Sequence, residues 1–146
     1  MKSSPAFTIV EILIVFAILG IILIPAFSSY VRSRANQDLQ GSGEELANVL
    51  RIAHIFSREL KDEVDWGVRQ GSNESTYELV KDQAVPVVDK SYTLHQDIGF
   101  SSNFTIWFQK NDGFIPSQQT IILQNKYSKV FKVTVLVTGV VEVHAL

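Results

Sequence analysis

One carboxylate, Glu11, lies inside an apolar run covering residues 7–27, which holds no other Asp, Glu, Lys or Arg. Ionised at membrane depth, a carboxylate costs about 2.5–3.5 kcal/mol on insertion scales. That cost is offset only if a cation meets it, so the chemistry Glu11 offers is ion pairing rather than proton transfer to a substrate. A second set is cationic. Lys126, Lys129 and Lys132 recur every three residues near the C-terminus, and three such charges can contact a few phosphates with a matching salt dependence.

The remaining reactive types form no pattern. His54, His95 and His144 lack metal-ligand spacing. Asp62, Glu63 and Asp65 read as a solvated charge run at a helix end. Trp66, Trp107, Phe108 and Phe131 read as core. No glycine-rich dinucleotide or phosphate loop, no HExxH and no nucleophile elbow is present. The chain has no cysteine, which excludes thiol catalysis, zinc–cysteine sites, iron–sulfur clusters and disulfides. We expect no catalytic residue, no metal and no cofactor, hence not an enzyme. Net charge is −2, with a pI near 5.9, so the chain as a whole does not attract nucleic acid.

These residues must be placed by two kinds of element. As a helix, residues 7–27 span about 31 Å at 1.5 Å per residue, which matches a hydrocarbon core of about 30 Å. With 146 residues in all, one anchor and one small globular domain is the natural division. The helix is expected to continue to about residue 61. Leu39, Leu46, Leu50, Ala53 and Leu60, widened by Val49 and Phe56, form its apolar face. Gly41-Ser42-Gly43 reads as a kink or a break, and Gly20 with Pro25 as a second weak point. From residue 64 the hydrophobic period changes to two. Residues 64–69 and 76–80 flank a turn signal, residues 83–90 read as loop, and 92–95, 98–100, 104–108, 119–123, 130–137 and 140–144 read as strands. The fold class is α+β: a long N-terminal helix covering one face of an antiparallel sheet.

The N-terminal motif resembles a known class. A short polar leader, residues 1–6, precedes Phe7-Thr8-Ile9-Val10-Glu11-Ile12 and the apolar helix. This is similar to the N-terminus of type IV pilins and type II secretion pseudopilins. The resemblance implies cleavage by a prepilin peptidase between Ala6 and Phe7, with Ala6 standing where the family usually has glycine. It implies N-methylation at Phe7, and pairing of Glu11 with the Phe7 amine of a neighbouring subunit in a filament. It divides the chain into leader 1–6, transmembrane and filament-core helix 7–28, amphipathic half 29–62 and β domain 63–146. The strands, from Trp66-Gly67-Val68 to the closing Gly139-Val140-Val141-Glu142-Val143, are similar to GspH/FimT-like minor pilins and pseudopilins. The implied partners are the prepilin peptidase, other pilins or pseudopilins, an inner-membrane assembly platform and the inner membrane. The N-terminus would be cytoplasmic and the C-terminal domain extracytoplasmic. Some FimT-like pilins bind DNA, which gives a second expectation, DNA contact through Lys126, Lys129 and Lys132. Glu142 on the closing strand opposes it.

Overall fold

The structure is a computed structural model, and it describes residues 8–145. The chain forms two compact units, residues 1–34 and 35–146. Helix α1 (Ile9–Arg58) contributes to both. In the first unit its side chains are exposed almost throughout, and the most apolar 18-residue window has a mean hydropathy of 2.9 with none of it buried. Pro25 lies inside the helix without ending it.

In the second unit α1 is amphipathic. Leu39, Ser42, Gly43, Leu46, Ala47, Val49, Leu50, Ala53 and Ser57 are buried, a spacing of three and four that makes one stripe. Against it pack eight strands: β1 (Trp66–Gln70), β2 (Thr76–Lys81), β3 (Val87–Thr93), β4 (Ile98–Phe100), β5 (Thr105–Phe108), β6 (Gln119–Asn125), β7 (Val130–Val135) and β8 (Val141–Ala145). They form two antiparallel sheets, in the orders β3-β2-β1-β5 and β4-β6-β7-β8. Trp66, Val68, Tyr77, Ile106 and Phe108 from the first sheet meet Ile121, Leu123, Phe131 and Val133 from the second in one core with the helix stripe.

The expected single sheet is therefore two. Residues 87–90, expected as loop, open strand β3 despite Pro86, because the proline precedes the strand and removes no ladder donor from it. Strand β3 is an edge, and every side chain on it except Tyr92 is exposed. The helix stops at Arg58, short of residue 61, where Leu60 takes a left-handed φ of 56° and a short 3-10 turn follows. Leu60 accordingly leaves the apolar face and is 43% exposed. Trp107 also departs from expectation. It lies on the outer side of the first sheet against Gly67, half-buried, while Trp66, Phe108 and Phe131 are core.

Gly41-Ser42-Gly43 does not break the helix. A Cβ on Gly43 would collide with the Phe131 ring, so the glycine lets the helix approach the second sheet closely. Ser42 Oγ accepts the His95 backbone N–H at 3.3 Å. Gly41 has nothing within 4 Å of its would-be Cβ. The two glycines should therefore respond oppositely to alanine. Gly43→Ala is expected to destabilise by about 1–3 kcal/mol through overpacking, and Gly41→Ala to stabilise by about 0.5–1 kcal/mol through helix propensity. Urea midpoints of the two variants check this, and a loss at both positions would refute it.

Candidate functional site

At its N-terminus α1 opens with Thr8-Ile9-Val10-Glu11, a serine/threonine-x-x-glutamate capping box. Thr8 Oγ1 accepts the Glu11 N–H at 3.2 Å. Glu11 Oε2 accepts in return from the Thr8 N–H at 3.1 Å and from the Thr8 hydroxyl at 3.3 Å. Two otherwise orphaned helix donors are satisfied, and a negative charge stands where the helix dipole favours it. Among the described residues, the other carboxylate oxygen, Oε1, has no hydrogen-bond partner. The threonine-x-x-glutamate spacing that produces this cap is present in the sequence. Ala6 and Phe7 lie outside the described residues.

The basic set is partly neutralised. Lys126 Nζ donates to Asp97 Oδ2 at 2.7 Å, and that hydrogen bond, with the attraction of the same carboxylate, raises the ammonium above its ordinary value. Lys129 follows in the exposed β6–β7 turn. Lys132 sits on β7 opposite His144 of β8, two positions along from Glu142. The turn itself is held by Asn125. Its Oδ1 accepts the Tyr127 and Lys129 N–H groups at 3.0 Å each, and its Nδ2 donates to Ala35 O at 3.3 Å and Asn36 Oδ1 at 3.1 Å.

The histidines are dispersed. His95 Nδ1 is 3.7 Å from Asp38, and His144 Nε2 is 3.7 Å from Glu142. Among the described residues no group of three His, Cys, Asp or Glu is placed to hold a metal. Asp62 and Glu63 are exposed in the turn after α1, and Asp65 is half-buried. Asp62 accepts from Lys81 Nζ at 2.8 Å, and Asp65 Oδ1 accepts the Lys110 N–H at 2.7 Å.

His54 projects from α1 against the turns carrying Gly113 and Gly139, both at positive φ, with Phe108 5.6 Å away between ring centroids. Its Nε2 is buried without a hydrogen-bond partner. Burial first, then the Arg58 charge, lowers its pKa below the ordinary 6.5. A histidine depressed in the folded state contributes stability that is fully present above the unfolded value. That contribution is lost as pH falls below about 6.5 toward the folded value, because the unfolded chain takes up its proton first. The domain should lose stability on acidification through that window, and His54→Phe should flatten the slope. Thermal melts of both proteins across the window test this, and equal slopes would overturn it.

The helix head and the fold each have a counterpart among known proteins. Residues 1–27 match the prokaryotic N-terminal methylation motif. The fold is similar to that of the minor pseudopilin EpsH from the Type 2 Secretion System of Vibrio cholerae, at a TM-score of 0.59 and 14% identity, over 74% of this chain and 97% of that one. No curated protein matches by sequence. The long apolar N-terminal helix on antiparallel sheets is the fold that the chain shares with that pseudopilin.

Proposed function

We propose that the protein is a structural minor subunit of a type IV pilus or type II secretion filament. Glu11 carries the reading: a carboxylate at the head of an apolar helix, with one oxygen still open, wants a cation that its own helix does not supply. The methylation motif supports a prepilin peptidase cut between Ala6 and Phe7, which creates that cation as the amine of Phe7. In this reading the amine is methylated, and the helix holds the subunit in the inner membrane with its N-terminus cytoplasmic and the β domain outside. Assembly at an inner-membrane platform sets Glu11 of one subunit against the Phe7 amine of another.

The test is the intact mass and N-terminal sequence of the protein from membranes with and without an active prepilin peptidase. A mature chain that begins at methylated Phe7 is the expected result. A chain that still begins at Met1 or Lys2 in the presence of the peptidase would overturn the processing step. It would leave a plain membrane-anchored domain.

A further inference from the structure

Beyond the apolar run, α1 presents Tyr30, Arg32 and Arg34, all exposed, with Tyr30 62% exposed. At 3.6 residues per turn the two arginines stand about 200° apart around the helix, so they are on opposite sides. Phe27, Tyr30 and Arg34 share one stripe, three and four residues apart, and Phe27 is 70% exposed.

The headgroup layer of a bilayer meets a helix on every side. Cations on opposite faces, joined to an aromatic residue at the end of an apolar span, fit the layer. Guanidinium groups bind phosphate oxygens in a fork, and tyrosine settles at the headgroup level. The spacing agrees: Glu11 and Arg32 are about 31 Å apart along the helix, close to a hydrocarbon thickness of about 30 Å.

We propose that Tyr30, Arg32 and Arg34 form a collar that binds the phosphate groups of anionic phospholipid at one bilayer surface. The collar thereby fixes the depth of the helix and holds Glu11 at the opposite edge of the hydrocarbon. This rests on the membrane-anchor reading given above. The full chain is reconstituted into mixed vesicles of phosphatidylcholine and phosphatidylglycerol, and the lipid it retains is counted by native mass spectrometry. Phosphatidylglycerol should be enriched several-fold over its bulk share, and excess inorganic phosphate should not displace it. The enrichment should vanish in R32Q/R34Q and be only partly restored in R32K/R34K, which keeps the charge and loses the fork. Because the chain has no cysteine, a spin label at S28C reports depth uniquely, and it should lie deeper or spread in depth when both arginines become glutamine. A protein that resists alkaline carbonate extraction yet shows no enrichment, shows enrichment indifferent to the arginines, or loses its lipid to free phosphate overturns the collar alone. A protein stripped by carbonate overturns the anchor as well.

Discussion

Glu11→Ala is expected to leave the protein membrane-inserted while lowering its recovery in filaments at least tenfold. The substitution removes a charge from the apolar run, so insertion becomes easier. Under the pairing proposed above, it takes away the partner of a cation desolvated between subunits, and an uncompensated buried charge costs about 3–5 kcal/mol. The same substitution also undoes the capping box that joins Glu11 to Thr8. Thr8→Ala separates the two effects. It loses the cap, worth about 0.5–2 kcal/mol of helix stability, and keeps the carboxylate. Filament recovery is measured as the sheared fraction over the membrane fraction. A tenfold loss in Glu11→Ala with a much smaller one in Thr8→Ala supports intersubunit pairing. Normal incorporation of Glu11→Ala sinks it, and equal losses would make Glu11 a helix cap only.

The second large effect lies in the β domain. Ser57 is fully buried on α1. Its hydroxyl donates to the Phe108 carbonyl of β5 at 2.9 Å and accepts the Trp66 N–H of β1 at 2.9 Å. One side chain thus ties the helix to two neighbouring strands. Ser57→Ala leaves a buried backbone donor and a buried acceptor unpaired, at about 1–3 kcal/mol each. The expected loss of about 2–5 kcal/mol is a large part of the roughly 5–15 kcal/mol that holds an ordinary domain. Chemical denaturation should show the midpoint fall with an unchanged slope. A fall below about 1 kcal/mol would mean that water or a backbone shift replaces the hydroxyl.

Serine 57 also shows where reading the sequence stops. The apolar stripe of α1 was legible because Leu39, Leu46, Leu50 and Ala53 repeat at helical spacing. A serine in that stripe carries no hydrophobic signal, and its partners, 9 and 51 residues further on, are set by how the strands pack. Gly43 is similar. Its composition says weak helix, and its actual role depends on where Phe131 arrives from the second sheet. The strands were legible from their alternation, while their division into two sheets was not, because period two fixes a face and not a neighbour. Strand β3 was obscured by Pro86, whose ring speaks against a strand only when it stands inside one. At the helix head both Glu11 and its capping partner were present in four consecutive residues. The carboxylate could be named from burial cost alone, and its geometry needed the helix start.

The exposed edge strand has a consequence for crowding. Subunits of a filament display their domains at high local concentration, and an unpaired strand invites its own copy to dock alongside. Two identical strands related by a two-fold axis pair antiparallel only in registers that keep each residue on its own face. In the register that would join the whole of β3 to itself, Lys90 stands directly opposite Lys90, with Asp89 beside it opposite Ser91. Like charges directly opposite weaken such a pair. The strand is therefore poorly matched to its own image, and neighbouring domains can crowd together without zipping sideways into ribbons.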